Sequence, residues 1–203
     1  MTVPKNLSDV RIENLIRNRT TWIRQKLKIQ TKIIRPKPKE YVSGETFTYL
    51  GRNYRLKCVS DSVADTKLKN GYLAVHFGKG ISGSNFEQSV KTSLEQWYRG
   101  HALSKLKEKT KRYASIIGVT PKSVGLKDYK ARWGSCSSSG DVTYNWRIII
   151  APHQIVDYIV VHELCHLLEH NHGPKYWKHV EHVIPNYKEC REWLKVNGEG
   201  LRI

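Results

Sequence analysis

A chain of 203 residues has room for one domain, or one domain with an appendage, and is long enough to bury a hydrophobic core. Apolar residues at 39% and charged residues at 26% exclude a disordered chain, and no apolar run approaches the ~20 residues that span a bilayer, so no membrane role is expected. The net charge of +17 creates a positive surface potential that attracts polyanions, which makes nucleic acid or a nucleotide a candidate partner; a merely solvated basic face is the plainer reading.

The amino terminus, Met1-Thr2-Val3-Pro4-Lys5, leads into charged sequence without the apolar core of a secretion signal. Cys58, Cys136, Cys165 and Cys190 include no Cys-x-x-Cys pair. Free thiols and a cytoplasmic location are expected.

From Ser8 to about Lys32, Val10, Ile12, Leu15, Ile16, Trp22, Ile23 and Leu27 recur at helical spacing among Arg and Lys. This is a basic amphipathic helix whose default role is core packing. Arg35-Pro36-Lys37-Pro38-Lys39 then breaks regular structure. Thr46–Leu50 and Tyr54–Val59 flank Gly51-Arg52-Asn53 and read as a hairpin, and Asn70-Gly71 is a turn signal ahead of the alternating strand Tyr72–Phe77. Gly78 to Ser84 reads as a loop. Phe86 to Ile117 is one long helix ended by Gly118. Strand-like segments Ser123–Trp133 and Val142–Ile150 follow, expected to pair antiparallel. Ala151-Pro152 opens a helix running to about Glu169, and Pro174 opens another. The order of elements gives an α+β fold.

The chemistry is concentrated in His162-Glu163-Leu164-Cys165-His166. Two histidines four apart on a helix lie within about 40° of each other around the axis, so both can reach one ion. Glu163 is rotated to the side, where it can act on water without being a ligand. His172, ten residues after His162, is the favoured third ligand, provided the chain leaves the helix between Glu169 and His172; Asn171 and Gly173-Pro174 permit that turn. Glu181, His179 and His182 are the alternatives. Three imidazoles with an open position suit a catalytic Zn2+, one per chain, with Glu163 as general base. Cys165 reads as core, and Glu169 as a residue that could orient a ligand imidazole.

At these residues the sequence resembles the YgjP-like family of zinc metallohydrolases, and more distantly the SprT-type proteases. Arg132-Trp133-Gly134-Ser135-Cys136-Ser137, Asn145-Trp146-Arg147, Ala151-Pro152 and Asn171-His172-Gly173-Pro174-Lys175-Tyr176-Trp177 share in the match, which covers about residues 15 to 200. The resemblance implies a minimal zincin-like metalloprotease fold with a small antiparallel sheet, His172 as third ligand, and a strand near Arg132 to Cys136 bordering the cleft. It also implies a substrate that is a peptide or, in an alternative reading, a nucleotide whose pyrophosphate is cut at the same metal. Residues 1–84 then form a basic helix and β-hairpin region packed on a catalytic region over residues 85–203, as one compact domain. Arg132, Ser135, Asn145 and Arg147 are candidates for polarising the substrate. A non-enzymatic alternative is a nucleic-acid-binding module with a structural metal.

Overall fold

The computed structural model describes residues 8–31, 37–61, 65–78 and 83–203. The basic amphipathic segment forms two helices, α1 (Asp9–Asn18) and α2 (Thr20–Gln30), broken at Arg19. α1 buries no residue; Val10, Leu15 and Ile16 are exposed, as are Trp22 and Leu27 on α2. The expected core packing of this stripe is not what the fold does. The proline-containing break and the Gly78–Ser84 loop lie partly outside the described residues.

The first sheet has the order β1-β2-β4-β3, from β1 (Thr46–Tyr49), β2 (Arg52–Ser60), β3 (Asp65–Lys69) and β4 (Tyr72–Phe77). β3, which the sequence pattern did not announce, pairs antiparallel with β4 across the Asn70-Gly71 turn. The first hairpin turns one residue pair earlier than expected. Tyr49 pairs with Arg52, leaving Leu50 and Gly51 as the turn, both at positive φ. Tertiary docking explains the choice: Leu50 is buried, and the Leu50 and Gly51 N–H groups donate to the Ile149 and Ile150 carbonyls. A β-carbon on Gly51 would lie 2.8 Å from the Cα of Pro152. The turn therefore fixes the start of the helix that carries the histidines.

α3 (Ser84–Ile117) runs about 50 Å. It ends at Gly118 in the left-handed conformation, as expected. The second sheet, β5 (Ser123–Leu126), β6 (Gly134–Cys136) and β7 (Asp141–Tyr144), has the order β5-β7-β6. Both expected strands are shorter than their apolar patterns. Residues 127–133 form a loop, and Trp146–Ile150 coil into a 3-10 turn whose Asn145 Oδ1 accepts from the Arg147 N–H. Nor is the pairing antiparallel throughout: β2–β4 and β5–β7 are parallel.

α4 (His153–Cys165) is apolar around most of its circumference and is buried accordingly, against α3, β6 and the 3-10 turn. α5 (Pro174–Val183) and α6 (Tyr187–Asn197) close the fold. One core joins Phe47, Leu56 and Leu73 of the first sheet to Leu94 and Leu106 of α3 and to Ile155, Val160 and Leu164 of α4. None of the described helices is long and apolar enough to cross a membrane.

Candidate metal centre

His162 lies in the last turn of α4, and His166 is its C-terminal cap. The helix thus ends about a turn earlier than the sequence suggests. The 167–169 N–H groups donate to the 164 and 165 carbonyls, turning the chain so that His172 returns over the helix end just before Pro174 starts α5. His162 Nε2 and His172 Nε2 come within 3.2 Å. One ring nitrogen from each of His162, His166 and His172 lies within 4.8 Å of the others. Glu181, His179 and His182 are exposed on α5, outside this cluster.

The donor set fits a zinc ion. Two nitrogens each bound at 2.0–2.1 Å in a tetrahedron stand roughly 3.3 Å apart, close to the His162–His172 separation. Desolvation among the packed rings lowers all three imidazoles below their ordinary pKa, His162 to about 3 and the more exposed His172 through partial desolvation and the charge of Arg191, so each keeps a lone pair at neutral pH. The tautomer of His166 is set from behind, because its Nδ1 faces the Glu169 carbonyl at 3.2 Å. The backbone carbonyl of Glu169, rather than its carboxylate, is the group that meets the His166 ring.

The residues that hold this cluster come from α5. Tyr176 donates its hydroxyl to the His162 carbonyl at 2.8 Å, and its ring packs 4.7 Å from those of both His166 and His172. Trp177 stacks on His172 with the planes 22° apart and donates Nε1–H to the His172 carbonyl at 3.0 Å. Tyr187 stacks on the same indole, and Arg191 lies over it. No spacing rule marks Arg191 or Tyr187 as site residues, since they arrive on a separate helix.

Glu163 is buried beside the cluster, and burial pushes its carboxyl up to about 8, opposed only by the positive charge of Arg132. Its carboxylate lies against the Cα of Gly134 on β6. Arg132 and Ser135 line the cleft of about 730 Å³ that opens onto the histidines. Asn145 and Arg147 do not reach it. Asn145 is buried, and its Nδ2 and N–H donate to the Tyr129 and Trp133 carbonyls, so it holds the loop that carries Arg132. Arg147 pairs with Asp128 at 2.9 Å and lies over Trp146. Cys165 is core, as expected, and all four cysteines are free.

The YgjP-like metallopeptidase domain family matches residues 1–197 of this chain. The chain belongs to the YgjP-like family. Solved structures similar to this YgjP-like chain include the metallopeptidase zymogens abylysin of Pyrococcus abyssi and jannalysin of Methanocaldococcus jannaschii. Abylysin is 24% identical, with a TM-score of 0.41, over 45% of this chain and 94% of its own. Jannalysin is 18% identical, with a TM-score of 0.40, over 46% and 95%. Comparison with curated proteins by sequence gives no match.

Proposed function

We propose that the chain is a zinc-dependent metallopeptidase, with His162, His166 and His172 as ligands and Glu163 as general base. The observation that carries this reading is the convergence of three imidazoles beside one buried carboxyl. A zinc ion held there supplies Lewis-acid activation of water and of the scissile carbonyl.

The chain's own groups do the rest. Glu163, as carboxylate, takes a proton from the attacking water and returns it to the amine leaving as the C–N bond breaks. β6 is an edge strand of its sheet and borders the cleft, which leaves it able to pair with an extended peptide. Arg132 and Ser135 line the same space, and in this reading they polarise the carbonyl.

The test offers zinc-loaded protein a peptide library and a set of nucleoside triphosphates side by side. Peptide cleavage that falls about 10²–10⁴-fold in Glu163→Gln, with zinc retained, is the expected outcome. Phosphate release without peptide cleavage reassigns the substrate, and activity indifferent to Glu163→Gln removes the mechanism.

A further inference from the structure

A second cavity, of about 670 Å³, adjoins the metal cleft; Arg132, Trp133, Leu194 and Lys195 line both. Its wall is strongly basic. Lys91, Lys130, Arg132, Arg147, Lys195 and Arg202 line it, against Glu95 and Glu199. Arg147 is paired with Asp128, and Lys195 with Glu192. Among the described residues, Lys91, Lys130 and Arg202 have no acidic partner within ion-pair distance, while Arg132 has Glu163 as a more distant acidic neighbour. Unpaired cations gathered in a concavity focus a positive potential on whatever enters.

The aromatic rings decide between two kinds of anion. A nucleic-acid strand is held by phosphate contacts together with bare aromatic faces on which bases stack. Two rings line this cavity, Tyr129 and Trp133, both half-buried and already engaged by the protein: Lys127 and Arg132 lie over Tyr129, and Gly198 packs against the Trp133 indole. What remains for an incoming group is charge and hydrogen-bond donors, which suits carboxylates.

We propose that this cavity is a subsite for acidic residues of a peptide substrate, selecting chains that carry Asp or Glu near the bond cut at the adjoining histidine centre. The inference rests on the metallopeptidase reading for its peptide. Arg132 stands at the junction, close enough to lower the proton affinity of Glu163 while facing both cavities. The remaining unpaired cations extend the basic wall away from the metal.

The experiment compares two fluorogenic peptides identical except that a flanking Asp/Glu block in one is Asn/Gln in the other. Each is measured with the zinc-loaded protein and with the Lys130→Ala/Arg202→Ala double variant. Both substituted residues are exposed, and a thermal melt checks that the variant folds. The expected ratio of kcat/KM, acidic over neutral, is about tenfold in the native protein, falling toward one in the variant and in high salt. Equal cleavage of the two peptides by the native protein overturns the subsite and leaves the peptidase standing, as does a preference that survives the double substitution. Binding of both peptides to Glu163→Gln, followed by fluorescence anisotropy, separates the two claims: acidic preference in binding with no cleavage by the native protein keeps the subsite and sinks the peptidase. A labelled single-stranded DNA oligonucleotide that loses affinity in the double variant, when the acidic peptide does not, assigns the cavity to nucleic acid instead.

Discussion

Gly134 and Glu163 are in such close contact that a β-carbon on the glycine would lie 2.5 Å from the glutamate's Oε1. The proposed base is held by an edge strand whose backbone leaves no room for any side chain at that position. Gly134→Ala is therefore expected to displace the carboxylate while leaving the histidines in place. Peptide cleavage should fall by at least about tenfold with zinc affinity little changed, and stability should drop by about 1–3 kcal/mol from overpacking. Zinc titration, turnover and a denaturant melt on one preparation check all three. Unimpaired cleavage would show that Glu163 need not sit against β6.

Trp177 grips the third histidine twice, by ring stacking and by the bond to its carbonyl. His172 is exposed and sits in a short turn, so its ring has less packing around it than that of His162. Trp177→Ala is expected to weaken zinc binding by about 10–100-fold. Trp177→Phe retains an aromatic face but loses the donor, and should fall between the two. Competition with a chromophoric chelator measures both; native affinity in Trp177→Ala would mean that Tyr176 alone suffices.

In the metal-free protein the contribution of Glu163 to stability should decline as pH rises through neutrality. Glu163 is raised by burial to about 8 in the folded state but titrates near its ordinary carboxylate value when unfolded. Its contribution is therefore fully present below the unfolded value and lost as pH climbs toward the folded one. Near pH 7 the folded state holds a proton that the unfolded state has released, a slope of about −1.4 kcal/mol per pH unit. The histidines act in the opposite sense. Their folded pKa values are lowered, so their contribution is present above the unfolded imidazole value and declines as pH falls below it. The stability difference between native apoprotein and Glu163→Gln, followed by melting from about pH 6.5 to 8.5, should shift against the native protein as pH rises, because the imidazole contributions are common to both. Parallel curves would place the carboxyl in water.

The exposed stripe of α1 makes a plain prediction. Leu15→Ser should alter stability by no more than about 0.5 kcal/mol, since the side chain is solvent-facing already. A loss of several kcal/mol in a urea melt would restore the core-packing role that its periodicity suggests.

What could be read from residue order was whatever rests on local geometry. The spacing of His162 and His166 needs only a helix, Gly118 and Asn70-Gly71 announce their own backbone conformations, and Pro174 marks the start of α5, although the break that frees His172 comes earlier, at His166. What could not be read depends on partners distant in sequence. The Leu50-Gly51 turn is chosen by docking on Ile149 and Ile150. Strand-like apolar residues at 146–150 coil because Asn145 caps them, and the same Asn145 is drawn off to hold a loop when its motif suggested substrate contact. Arg191 and Tyr187 reach the site from α6, with no periodic relation to the histidines. The α1 stripe fails for a different reason: amphipathic spacing says that one face is apolar, and nothing about whether another element arrives to cover it.

The most direct measurement is zinc stoichiometry and coordination in the native chain and in His172→Ala, by elemental analysis joined to X-ray absorption at the zinc edge. One ion per chain, bound by three imidazole nitrogens, with affinity sharply reduced in the variant, is the expected result. Folded, active protein without metal, or a zinc site whose ligands and affinity are unchanged by His172→Ala, would contradict it.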